Sequence, residues 1–147
     1  MKILFICRAN AERSQMAELM FNRLSRKNKA YSAGTSPSDD EIGLPPGRTV
    51  SELMLDLGYD NTLSHKRKRL TKAMADKADR VIVMLSKDEI PKELPSYVKK
   101  RPNVEYWDVG RIPKANCLTF PPDTYYYHIR WIARIGKHIR TLVREIG

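Results

Sequence analysis

The chain has 147 residues, 41% of them hydrophobic, which suits one domain spanning 1–147 with a core of its own. Lys and Arg number 27 against 17 acidic residues; the formal charge of +10 favours anionic partners, whether phosphorylated molecules, acidic proteins or nucleic acid. No apolar run is long enough for a bilayer, no signal-peptide pattern opens the chain, and Cys7 and Cys117 are too few for a disulfide framework or a zinc site, so a cytoplasmic protein without metal is expected.

Lys2 to Ile6 are mostly apolar and β-favouring, and the run ends at Cys7. From Ser14 the apolar spacing becomes helical through Met16, Ala17, Met20, Phe21 and Leu24, predicting a helix from about Ser14 to Lys27. Ala30 to Thr35 reads as a short strand running into the turn Ser36-Pro37-Ser38. Val50, Leu53, Met54 and Leu57 mark a second amphipathic helix stopped by Gly58, and Thr71 is placed to cap a short helix through Ala75. Arg80 to Leu85 is apolar on both faces, as a central parallel strand must be. Pro91 and Pro95 keep the helical pieces between 86 and 102 short, and Val104 to Asp108 reads as a fourth strand. A loop containing Cys117 leads to Asp123, the expected N-cap of a long closing helix with Ile129, Ile132, Ile139, Leu142, Val143 and Ile146 on one stripe. Tyr125, Tyr126 and Tyr127 are expected to pack at its start.

Strands alternating with helices imply an α/β fold, a parallel sheet covered by helices on both faces, with ligands beyond the carboxyl ends of the strands. The Cys7 loop, the Thr35 turn, the Ser86 region and the Asp108 loop should therefore gather on one edge. Between the first strand and helix lie Arg8, Ala9, Asn10, Ala11, Glu12, Arg13 and Ser14. Such a loop and the first helical turn offer N–H groups without intrahelical acceptors, a ready anion site. Cys7 stands at its floor, where loop dipoles, the helix N-terminus and Arg13 favour the nucleophilic thiolate. Arg13 supplies a fork of donors matching two phosphoryl oxygens, Ser14 a donor to the leaving sulfur, and Asn10 suits a left-handed backbone position. The blander reading makes Cys7 a small buried residue, Arg13 a surface cation at a helix start and His65 part of a solvated basic turn.

Cys7, five residues, then Arg13 and Ser14 directly after an N-terminal strand resemble the low-molecular-weight protein tyrosine phosphatases, and the related thioredoxin-coupled arsenate reductases. The likeness continues through Gln15-Met16-Ala17-Glu18, Tyr31 to Thr35, Ser64-His65-Lys66 and Ala78 to Met84. It implies a three-layer fold with a four-stranded parallel sheet of order 2-1-3-4, and a phosphomonoester hydrolase, of protein tyrosine phosphatase type, that needs no cofactor. Phosphate would pass through a covalent intermediate on Cys7, with Asn10, Ser14, Ser32 and His65 holding the loop rigid. The substrate would be a phosphorylated protein or small phosphomonoester, and inorganic phosphate the product. Nucleic acid as a partner rests on the basic charge alone.

The resemblance also implies an aspartic acid after strand four that protonates the leaving group. Asp108 is the first candidate, at the end of the strand, although Arg111 stands where some relatives carry the acid; Asp123 is the alternative, since Pro122-Asp123-Thr124-Tyr125-Tyr126 resembles the family's aspartate followed by paired tyrosines. Glu12 lies within the loop and must turn outward to spare the anion. Arsenate reductases of this type need two further cysteines after strand three, where this chain has Leu85-Ser86-Lys87-Asp88-Glu89. Arsenate reduction with an external thiol, and non-catalytic binding of phosphate or nucleic acid, are the alternative readings.

Overall fold

The structure is a computed structural model that describes residues 1–112 and 121–147, the side chains of 121–124 excepted. Its elements are β1 (Lys2–Cys7), α1 (Arg13–Leu24), β2 (Lys29–Gly34), α2 (Arg48–Asp56), α3 (Lys72–Lys77), β3 (Arg80–Val83), α4 (Ile90–Glu93), α5 (Ser96–Lys99), β4 (Val104–Tyr106) and α6 (Pro121–Ile146). All strand pairs are parallel, in the order β2-β1-β3-β4, with Cys7 beside Gly34 and Ile6 beside Val83.

Side chains alternate across a strand, so β1 feeds two cores. Ile3, Phe5 and Cys7 face a layer made by α1, α2 and α6, with Met16, Met20, Phe21, Val50, Met54, Trp131, Ile135 and Ile139. Leu4 and Ile6 face the other layer, where Val81 and Val83 meet Ala75, Leu94 and Val98. Each Val, Leu, Ile, Met or Phe side chain buried in this way contributes roughly 1.5–3 kcal/mol relative to exposure. The central strand is therefore fixed from both sides, and Cys7 at its end is fixed with it.

Local signals set several ends. Thr71 caps α3 by accepting from the Met74 N–H, and Gly58 follows α2 in the left-handed region at φ +88. The closing helix differs from expectation at its start. It begins at Pro121, so Asp123 lies inside the first turn and is not the N-cap. Its buried face is His128, Trp131, Ile135, Ile139 and Leu142, spaced by three and four residues, while Ile129 is 44% exposed. Tyr125 and Tyr126 are exposed as well, which removes them from the core. Among the described residues no helix is long and apolar enough to cross a membrane.

Candidate active site

The chain between β1 and α1 is held from outside through its carbonyl oxygens. Cys7 O accepts from Thr35 N, Arg8 O from Ser36 N, Ala11 O from Gly47 N and Glu12 O from Met16 N, all at 2.8–3.0 Å. Among the described residues every peptide is trans, so each puts the next residue's N–H opposite its carbonyl. The N–H groups of Arg8, Ala9, Glu12 and Arg13 thus point away from those partners, and the same residues line a cavity of about 340 Å³ with Cys7, Glu89, Arg111, Ile112 and Trp131. A concave ring of N–H groups at a helix start receives an anion.

Cys7 is buried, and its Sγ lies 2.9 Å from Ser14 Oγ. Asn10 Nδ2 donates to Ser14 Oγ at 2.8 Å, which leaves the Ser14 hydroxyl hydrogen to point at the sulfur. Asn10 itself sits at φ +54, fully buried, and donates also to Ser32 Oγ at 3.0 Å. Its Oδ1 accepts from the Lys68 N–H at 2.8 Å, which fixes the orientation of the amide. Ser32 donates to Glu18 Oε2, and Glu18 Oε1 lies 3.5 Å from His65 Nδ1. Asn10 therefore bonds both Ser14 and Ser32, and His65 joins Ser32 through Glu18.

Arg13 is buried and is not a surface cation. Its Nη1 donates to Met84 O at 2.8 Å and to Glu89 Oε1 at 3.2 Å, and its guanidinium lies 5.5 Å from the Trp131 ring centre. Glu89 also accepts from the Ser86 N–H and hydroxyl. Burial pushes the Glu89 carboxyl up, but the Arg13 charge and the Ser86 and Arg13 hydrogen bonds hold it, on balance, below its usual value. A carboxyl held lower in the folded chain than in the unfolded one adds stability above its unfolded pKa and loses it as pH falls through the folded value. Titrating thermal stability from neutral to acid should show that loss in the wild type. In Glu89→Gln the melting temperature at neutral pH should be lower and its acid-side slope shallower; an unchanged slope would mean Glu89 does not carry this term.

One expected residue is placed elsewhere. Asp108 is exposed and its Oδ1 accepts from the Gly110 N–H at 3.0 Å, so its carboxylate stabilises the turn at 108–110. It lines a second cavity, of about 470 Å³, with Glu105, Trp107, Arg134 and His138, and does not line the cavity of Cys7. The side chain of Asp123, and Cys117, lie outside the described residues. Glu12 lines the Cys7 cavity and turns its Oε2 to His128 Nε2, 2.8 Å away. Glu89, Trp131 and His128 were missed as site residues because each comes from an element far along the chain from Cys7. Arg111 reaches the cavity on a strap, where Trp131 Nε1 donates to Gly110 O and Arg134 Nη1 to Val109 O, each at 3.1 Å.

Gly34 has a role that its sequence context hid. A Cβ there would stand 2.7 Å from Arg8 O and 2.8 Å from Ala9 C and Asn10 N, all backbone atoms of the loop. Gly34→Ala should push the loop out of register and, by misplacing reacting groups by part of an ångström, lower turnover by about 10²-fold. Activity within a few-fold of wild type would show that the loop yields freely.

A strand-to-helix loop around a cysteine, on a parallel sheet of order 2-1-3-4, defines an α/β protein with an anion-binding loop at the carboxyl edge of its sheet. The chain belongs to the low molecular weight phosphotyrosine protein phosphatase family, whose model matches residues 2–116. Among solved structures it is similar to Wzb from Vibrio vulnificus in complex with benzylphosphonate, with TM-score 0.78 and 20% identity over 98% of this chain and 97% of that one. The low molecular weight protein tyrosine phosphatase from T. tengcongensis gives TM-score 0.78 and 21% identity, covering 99% of each chain. A thioredoxin-dependent arsenate reductase from Corynebacterium glutamicum gives 0.68 and 26% identity over 99% of this chain and 61% of that one. No curated protein sequence matches significantly.

Proposed function

We propose that this chain hydrolyses phosphoryl compounds through a cysteinyl-phosphate intermediate on Cys7. The observation that carries the reading is the convergence of Ser14 Oγ, the N–H groups of the loop and the Arg13 guanidinium on one cavity with Cys7 at its floor. In that setting the thiolate attacks phosphorus, the N–H groups and Arg13 take up the charge on the equatorial oxygens, and Ser14 stabilises the sulfur when water displaces it. No redox partner or metal enters these steps. Ile112 and Trp131 give the cavity an apolar wall that accommodates an aryl group, which supports phosphotyrosine in a protein as one substrate of the reading. The test is incubation with p-nitrophenyl phosphate, acid quench and mass spectrometry of the peptide containing Cys7. One phosphoryl group on Cys7 is expected. Phosphate release without that adduct, or arsenate-dependent thiol oxidation in place of phosphate release, would count against it.

A further inference from the structure

The turn after β2 holds the start of the Cys7 loop. Thr35 N donates to Cys7 O at 3.0 Å and Ser36 N to Arg8 O at 2.8 Å. Both peptides are trans, so fixing the two carbonyls also fixes the directions of the Arg8 and Ala9 N–H groups. The turn is itself held by one carboxylate from the segment after β3. Glu93 Oε2 accepts from the Ser36 hydroxyl and, at 3.5 Å, from the Thr35 hydroxyl. Its Oε1 lies 3.5 Å from Arg8 Nε. Arg8 is thereby gripped at both ends, its carbonyl by Ser36 and its guanidinium by the carboxylate that holds Ser36.

Glu93 reaches this place because of how α4 is anchored. Ile90 and Leu94 pack α4 into the core around Leu4, Ile6 and Val83, and Glu93 N donates to Glu89 O at 2.9 Å. Residues four apart share one helix face, which puts Glu89 and Glu93 on the same side. Glu89 takes Arg13 at the far end of the loop, and Glu93 takes the turn and Arg8 at the near end. One helical turn thus fastens both ends of the stretch from Cys7 to Arg13. A carboxylate suits the near end because its two oxygens accept from hydroxyl and guanidinium together, which an amide with one acceptor oxygen cannot do.

Resting on the cysteinyl-phosphate reading above, we propose that Glu93 is a positioning residue of the reaction. Through the turn at 35–36 it holds the Arg8 and Ala9 N–H groups in the directions that the equatorial oxygens need in the transition state. Glu93 does not line the Cys7 cavity, and it acts only through the groups it holds.

The test is hydrolysis of p-nitrophenyl phosphate by the full chain, with inhibition by inorganic phosphate and by vanadate, which adopts the five-coordinate geometry of the displacement. Glu93→Ala should lower kcat by about 10-fold, less than the roughly 10²-fold cost of a misplacement of about 1 Å, and should change KM less than kcat. Vanadate should weaken about as much as kcat falls, and phosphate less, because the N–H directions matter most in the transition state. Glu93→Gln should fall between the wild type and Glu93→Ala. Ser36→Ala, at an exposed position, should lower kcat by a few-fold and add little in the Glu93→Ala background, since both changes break one connection. Unchanged kcat and vanadate inhibition in a folded Glu93→Ala would overturn the proposal; where that variant does not fold, the same result in Ser36→Ala would. So would equal weakening of phosphate and vanadate, the mark of a general loosening, or full additivity of the two changes. Each of these results leaves the wild type turning over and the cysteinyl-phosphate reading intact. A wild type that neither turns over nor forms the Cys7 adduct removes that reading, and the proposal with it.

Discussion

Replacing Cys7 by serine should reduce turnover by roughly 10⁴-fold or more, the scale seen when a nucleophile is removed from a working site. The exchange is nearly isosteric at a buried position whose packing is set by β1, so the fold should persist. Among the described residues the side chain at this position hydrogen-bonds to the Ser14 hydroxyl, so a serine hydroxyl there stays protonated and weakly nucleophilic. Binding of an oxyanion rests on groups the exchange leaves alone: the N–H groups of Arg8, Ala9, Glu12 and Arg13, and the Arg13 guanidinium. In the thiolate mechanism proposed above, the exchange also removes a negative charge from the floor. Inorganic phosphate, followed by competition against p-nitrophenyl phosphate in the wild type and by calorimetry in Cys7→Ser, should therefore bind the variant at least as well. Turnover near the wild-type level would take Cys7 out of the mechanism, whatever the binding result.

Arg13→Lys should be nearly as severe in kcat, by about 10²–10³-fold, which is the usual loss when a preorganised donor to developing charge is removed. Lysine keeps the charge next to Glu89, so the buried ion pair is not simply broken, and the stability loss should be smaller than for Arg13→Ala. What it lacks is a planar fork that can hold Met84 O and Glu89 while presenting donors in a fixed direction. The expected signature is a fall in kcat larger than the rise in KM, because equatorial oxygens gain most from the fork in the transition state. A change confined to KM would mean that Arg13 only attracts the substrate. Glu89→Gln should reproduce part of the kcat loss, since it loosens the group that orients the guanidinium.

Much of this molecule follows from one strand and the loop after it. The run Ile3 to Ile6 is apolar on successive residues because both faces of β1 are covered, and a strand of that kind ending at Cys7 and followed by helical spacing places a cysteine at a helix start. Asn10 could be read as a left-handed residue because its side chain tolerates that backbone, and its φ is +54. These are local matters, decided by neighbours a few residues away, and so they are written in the sequence.

The parts that the sequence left open are those where distant segments meet. Asp108 has the residue type and the strand-end position of an acid, but its carboxylate is drawn to the Gly110 N–H and the strap of 108–112 is pinned to α6 by Trp131 and Arg134, which brings Arg111 to the cavity instead. Glu12 turned to His128, and Arg13 was held by Glu89, through pairs separated by 116 and 76 residues. No periodicity or spacing rule carries such pairs, because they are set by how helices lie on the sheet. The same holds for Gly34, whose missing side chain matters only because the loop from another strand end passes against it. The sequence by itself determined the elements, the nucleophile candidate and the anion loop through short-range sterics and hydrogen bonding. The tertiary structure alone decided which charges line the Cys7 cavity, since that depends on packing between segments far apart in the chain.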